Sequence, residues 1–186
     1  MPMRRLSPLL TLPAHGINLP SETLAPLLNT PTLLIFLRHF GCIFCREMVA
    51  DLRQLTQKQS DYPPILFFYQ GTVEDGTAFF GNLWPEAQAV ADLEQRFYTL
   101  FGLSKGSAAQ MFGPEVWACG VRAAFKGHFI GAPVGDPWMM PGVFFVEKDA
   151  VLWEHSFKHA GDHPDFKTLP EQLSGVLDKA KLEATP

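Results

Sequence analysis

Two thiols three positions apart, Cys42 and Cys45, are the residues of this chain best suited to chemistry. A Cys-x-x-Cys pair can attack a disulfide through one sulfur and resolve the mixed disulfide with the other. The thiolate is the nucleophile, so the question is what lowers a thiol below its free pKa of about 8.5. Arg38, His39 and Arg46 crowd the pair, with Glu47 opposing them. Cationic neighbours favour a thiolate, and Arg38 and Arg46 are the candidates to stabilise it. The same spacing also suits half of a structural zinc site. The chain has no second Cys-x-x-Cys, however, and its third cysteine, Cys119, would need a histidine as fourth ligand. Redox chemistry is therefore the expectation, with no metal assigned.

The flanking segments place the pair at a strand-to-helix junction. Thr32 to Leu37 is a short apolar run that predicts a central strand. From Arg46 to Gln59, Met48, Val49, Leu52 and Leu55 recur at helical spacing. Cys42 then falls near the helix's first turn, where backbone N–H groups lack partners and the macrodipole is positive. Cys42 is the predicted nucleophile, with the lower pKa of the two. Cys45, one turn further on, shares its face and is the predicted resolving thiol. A bridge needs their Cα atoms within roughly 7 Å.

Composition narrows the class. The 186 residues are 47% hydrophobic, enough for one core and a single domain over 1–186. A formal net charge of -4 and a pI near 5.8 argue against a nucleic-acid partner. No apolar run reaches the roughly 20 residues of a membrane span. Pro8 and Pro13 interrupt the leucines after Arg4 and Arg5, against a signal peptide. Three cysteines make no secreted disulfide framework, so a reducing, cytoplasmic setting is expected.

Residues 1–30 form a proline-punctuated lead-in, with a short helical turn at Pro20 to Thr23. Ile65 to Tyr69 reads as a strand buried on both faces, parallel to the first across a right-handed βαβ crossover. Thr77 to Trp84 is a short helix, Ala89 to Ala91 a minor strand, and Leu93 to Leu100 a helix presenting Leu93, Phe97 and Leu100 on one face. An insertion at 104–137 is partly helical from Ala108 to Lys126, broken at Gly113-Pro114 and Gly120, with a loop from Gly131 to Pro137. Gly142 to Val146 and Val151 to His155 form an antiparallel hairpin around Lys148-Asp149. Thr168 to Glu171 reads as a capping box opening a last helix with Leu173, Val176, Leu177 and Ala180.

This order, βαβ, a helical middle and ββα, matches an α/β thioredoxin-like architecture: a mixed sheet flanked by helices, with an N-terminal extension and a helical insertion. The stretch Phe36 to Glu47, with Gly41-Cys42 and Cys45-Arg46, resembles the peroxiredoxin-like proteins of the alkyl hydroperoxide reductase/thiol-specific antioxidant group. Asp92 with Arg96-Phe97-Tyr98, Phe101-Gly102-Leu103, Pro141 to Val146 and Gly161-Asp162-His163 extend the likeness over roughly 30–167. The resemblance implies thiol-based antioxidant or disulfide-exchange activity without metal or organic cofactor. It also implies a cis Met140–Pro141 bond facing the cysteines, with Met140 and Pro141 seating substrate. Partners would be a protein or small-molecule disulfide, or a peroxide, and a thiol reductant of the thioredoxin or glutathione type, with the protein a monomer or dimer.

Two departures direct the functional expectation. A typical peroxiredoxin places Thr or Ser three residues before its peroxidatic cysteine; here that position is Cys42 if Cys45 is peroxidatic, or His39 if Cys42 is. Nor does Ile43-Phe44 match the Gly-Pro of thioredoxin. Thiol–disulfide exchange is accordingly the primary expectation, a peroxiredoxin-type peroxidase the alternative, and a non-enzymatic redox-switched binding module the third. Cys119, beside Trp117 and Ala118, is expected to be buried and inert. His155, His159 and His163 are spaced by four, but Gly161 and Pro164 break the helix a metal face would need.

Overall fold

A computed structural model describes residues 4–127 and 131–183; residues 128–130 of the 104–137 insertion and both extreme termini lie outside the described set. The strands are β1 (Arg4–Arg5), β2 (Gly16–Ile17), β3 (Thr32–Phe36), β4 (Ile65–Tyr69), β5 (Gln88–Ala91), β6 (Gly142–Glu147) and β7 (Ala150–His155). The helices are α1 (Ile43–Lys58), α2 (Val73–Leu83), α3 (Arg96–Leu100), α4 (Ala108–Phe112), α5 (Pro114–Phe125) and α6 (Leu169–Glu183).

One mixed sheet runs β1-β7-β6-β3-β4-β5-β2. β3 pairs parallel with β4 and antiparallel with β6, so Phe36 lies between Phe68 and Gly142. Because successive side chains alternate across a strand, the apolar runs feed two cores. Leu33, Ile35, Phe67, Tyr69, Val143 and Phe145 face the layer of α1, α2 and α6. Leu34, Phe36, Leu66, Phe68 and Phe144 face the opposite layer.

That second layer holds the main topological finding. The lead-in does more than pack on the sheet: β1 extends one edge through β7, and β2 the other through β5. Between them Leu6, Leu9, Leu24 and Leu28 cover the face that α3 alone is too short to close. Strands of two residues carry too little periodicity to be read from sequence. The helical turn expected at Pro20 to Thr23 is instead a bend, with Thr23 bridged to Pro13.

Two helix starts shift from expectation. α2 begins at Val73, four residues before Thr77, because Thr72 and Asp75 close a reciprocal capping box. α3 begins at Arg96: the Asp92 carboxylate accepts the amides of Arg96, Phe97 and Tyr98, and Gln95 takes a left-handed conformation. Leu93 therefore sits in the preceding turn, 65% exposed, instead of joining Phe97 on the buried face. α6 begins at Leu169 as expected, and the Thr168 hydroxyl before it donates to the Asp165 carbonyl.

Candidate active site

β3 ends and α1 begins around the two thiols. Cys42 is the N-cap of α1, and both cysteines are reduced and buried, at 4% and 1% exposure. Arg38 follows β3 directly and serves both sulfurs. Its guanidinium Nη1 lies 3.5 Å from Cys42 Sγ, while its backbone N–H donates to Cys45 Sγ at 3.3 Å.

These contacts divide the thiols. The Cys45 thiol donates to Cys42, lowering Cys42 to about 6; burial opposes this, and the Arg38 charge and the amides of Cys45 and Phe44 assist. Burial pushes Cys45 well above the ordinary thiol value, and its role as donor to Cys42 holds it there. The pair is thus a thiolate beside a protonated thiol, with Cys42 the acidic partner.

A buried guanidinium is costly unless its donors are satisfied. Arg38 is 7% exposed, and its Nε and Nη2 donate to the carbonyls of Met139 and Pro137. Its Nη2 also lies 3.0 Å from Met111 Sδ of α4. The segment carrying these acceptors packs against the residues that flank the thiols, Arg38, Phe40 and Gly41. Gly41 meets Gly131 and Ala132 so closely that a Cβ there would lie 2.3 Å from the Gly131 carbonyl oxygen. The Gly131 amide donates to Gly41, and the Phe40 amide donates to Val134.

Gln70, at the end of β4, was not singled out by its type or spacing. It is 3% exposed and donates Nε2 to the Arg38 carbonyl. Its Oε1 accepts from Gln95 Nε2 at 2.7 Å and from the Asp136 amide at 3.2 Å. One side chain thus fixes the Arg38 peptide and the loop whose Pro137 carbonyl orients the Arg38 guanidinium. Tyr98 adds a second brace, its hydroxyl donating to the carbonyls of Leu37 and Phe68. His39, half-buried, has Nδ1 without a partner; burial lowers its pKa to about 4, with Arg38 adding to the shift.

Other expected residues are placed differently. Arg46 does not join Arg38 at the sulfur: the helix turns its side chain to the Phe40 carbonyl at 3.0 Å and over the Phe79 ring. No cis peptide bond occurs among the described residues, so Met140–Pro141 is trans. The Met140 amide donates to the Ser104 carbonyl and Met139 bridges Lys105, so this segment's own neighbour takes the pairing expected of a substrate. Met140 and Pro141 instead line a cavity of about 280 Å³ with Arg4, Gln110, Phe144 and His155.

Cys119 is half-buried rather than buried, with Arg122 Nη1 at 3.9 Å. Arg122 mainly serves Glu47, which it grips at 3.1 and 3.0 Å while Lys126 approaches at 2.9 Å. Burial alone would raise the Glu47 carboxyl, but the two cations outweigh it and the pKa falls. This cluster ties α5 to α1 two residues after Cys45. The three histidines diverge, His155 to Asp162, His159 to Glu115 and His163 to Arg122. Among the described residues no group of three or more His, Cys, Asp or Glu is arranged to hold a metal ion. Among them, too, no helix is long and apolar enough to cross a membrane.

Comparison with known proteins defines the class. The profile of the AhpC/TSA antioxidant enzyme family matches residues 48–159, and the chain belongs to that family. The match starts three residues after Cys45, so the two thiols lie just outside it. The chain is 28% identical over 153 residues to Peroxiredoxin-like 2A of Rattus norvegicus, covering 77% of this chain and 63% of that protein. It thus spans less than two thirds of the length of that relative.

Solved structures show the fold. Peroxidoxin BcpB from Mycobacterium tuberculosis is similar with a TM-score of 0.54 at 14% identity, covering 84% of each chain. A mutant of Xanthomonas campestris peroxiredoxin Q reaches 0.58 at 11% identity, covering 96% of this chain and 98% of that one. The architecture is accordingly the thioredoxin-like fold of peroxiredoxins, as the element order implies.

Proposed function

We propose that the chain is a thiol–disulfide oxidoreductase in which Cys42 attacks and Cys45 resolves. The observation that carries this reading is the geometry of the pair: the Arg38 guanidinium lies 3.5 Å from Cys42 Sγ and the Arg38 amide donates to Cys45 Sγ, an arrangement that lowers Cys42 and raises Cys45. Cys42 Sγ attacks one sulfur of a substrate disulfide, forming a mixed disulfide and releasing the other half as a thiolate. Cys45 then loses its proton and attacks Cys42 Sγ, releasing the second substrate thiol and closing the Cys42–Cys45 bond. A small thiol or a dithiol protein returns the pair to the reduced state.

Family membership favours a second reading in which the same thiolate attacks a hydroperoxide. Cys42 takes the distal oxygen as sulfenic acid, the alcohol leaves with a proton, and Cys45 condenses with loss of water. The 4% exposure of Cys42 suits so small a substrate. A disulfide substrate must part the 131–139 segment first. Against the peroxide stands the residue three positions before Cys42: His39, neutral and without a hydroxyl.

The test is the reduced protein mixed with a disulfide probe and, separately, with micromolar hydrogen peroxide. Disulfide exchange lost in Cys42→Ser, with a trapped mixed disulfide in Cys45→Ser, is the expected result. Rapid peroxide oxidation with no disulfide exchange would transfer the assignment to the peroxidase.

A further inference from the structure

The Arg38 guanidinium touches two sulfurs, and one of them lies outside the thiol pair. Nη1 is 3.5 Å from Cys42 Sγ, and Nη2 is 3.0 Å from Met111 Sδ. A thioether is a weak acceptor, yet α4 turns this one onto a buried cation that the Met139 and Pro137 carbonyls already hold. Two N–H groups sit on Nη1, and among the described residues Cys42 Sγ is the one acceptor they meet. One N–H is thus left for an incoming oxygen. Met48 and Met139 are as deeply buried as Met111, at 3% and 4% exposure against 5%. They lie in the two main cores, whereas Met111 packs apart from both with Met140 and Ala160. Among the described residues no cation meets the sulfur of Met48 or Met139. Met140 and Gln110, beside Met111, line the cavity of about 280 Å³, which gives a small solute a route to this cluster.

We infer that Met111 is an oxidation site for hydroperoxides, presented by Arg38, and that its sulfoxide draws Arg38 off Cys42. A lone pair of Met111 Sδ attacks the terminal oxygen of the hydroperoxide. The S–O bond forms, the O–O bond breaks, and the hydroxyl proton passes to the departing alkoxide, which leaves as the alcohol. Sulfur is oxidised by two electrons and the peroxide is reduced by the same two, so no further reactant enters. A positioned guanidinium stabilises the charge that builds on the departing oxygen. The product exchanges a weak acceptor for a polar sulfoxide oxygen beside Nη2. Arg38 is then held toward α4, and Cys42 loses the cation that favours its thiolate. Enzymatic reduction of the sulfoxide reverses the change. The site needs only that a hydroperoxide reach Arg38, so it stands whichever substrate the thiols take.

The native chain treated with tert-butyl hydroperoxide and mapped by peptide mass spectrometry should gain oxygen at Met111 at least about 10-fold faster than at Met48 or Met139, since one positioned donor is worth that much or more in rate. Exposure predicts no such order among the three. The same order is expected with Cys42, Cys45 and Cys119 all replaced by Ser, where no thiol consumes peroxide. A failed Met111 site is thereby read apart from a failed thiol assignment. Once dithiothreitol has reduced the thiols of the oxidised native chain again, Cys42 should alkylate several-fold more slowly at pH 6. Methionine sulfoxide reductase should restore the rate. Met111→Leu should keep the native circular dichroism spectrum and lose this response to peroxide. Equal rates at Met48, Met111 and Met139 overturn the proposal, as does oxidation confined to Met140, the more exposed at 9%. So does a sulfoxide at Met111 that leaves the alkylation of Cys42 unchanged.

Discussion

The two layers against the sheet are built on opposite principles. Under the lead-in, Phe36 stacks on Phe68 at 4.4 Å and meets Tyr98, Phe101 and Phe144 at 4.9–5.6 Å. That layer is hydrocarbon and ring apart from the buried Asp92 carboxylate that caps α3. On the thiol side the same sheet supports a buried Arg38, Gln70 and Glu47 and a histidine nitrogen without a partner. Buried polar groups bring no stability comparable to well-packed hydrocarbon. Their concentration around two cysteines marks where stability is given up for a fixed electrostatic arrangement.

Substitutions on the two sides should therefore separate stability from thiol chemistry. The largest stability loss is expected from Phe36→Ala, about 3–5 kcal/mol for a fully buried ring. Denaturant unfolding measures it, and the titration of Cys42 in the surviving folded fraction should be unchanged. Gln70→Leu should behave in the opposite sense. Its fold cost is smaller, about 1–2 kcal/mol for the Arg38 carbonyl left unpaired. The loosened Arg38 should nevertheless raise Cys42 by about one unit, worth about 1.4 kcal/mol. An unmoved Cys42 in that variant would reduce Gln70 to a packing residue.

A third effect is the pH dependence of His39. Its folded pKa, about 4, lies below the ordinary 6.5, so the folded chain binds fewer protons between those values. The contribution is fully present above pH 6.5 and is lost as pH falls toward 4. Unfolding at pH 7 and pH 4.5 should show a larger acid loss in the native chain than in His39→Gln.

The thiol pair was legible because its signal is local: a spacing, a preceding apolar strand and a following helical period. The strands β3, β4, β6 and β7 were legible for the same reason. Arg38 could be named from proximity alone, but proximity equally favoured Arg46, and only the helical turn separates a guanidinium at the sulfur from one over Phe79. The trans Met140–Pro141 bond corrects an expectation borrowed from the fold, since Ser104 and Lys105 pair with that segment from the insertion. Gln70 was beyond reach, because its three partners, Arg38, Gln95 and Asp136, meet only when separate connections converge. The two short edge strands of the lead-in failed for a related reason: a pair of residues has no period, and their place is set by the sheet that receives them.

The central claim is that one sheet end holds two neighbouring thiols in opposite protonation states. Alkylation of the intact reduced chain followed against pH, with the modified cysteine located by mass spectrometry, tests it while keeping each thiol's partner in place. Cys42 should titrate near pH 6 and Cys45 above the free-thiol value of about 8.5. A Cys42 value at or above about 8.5, or a Cys45 that titrates first, would contradict the account.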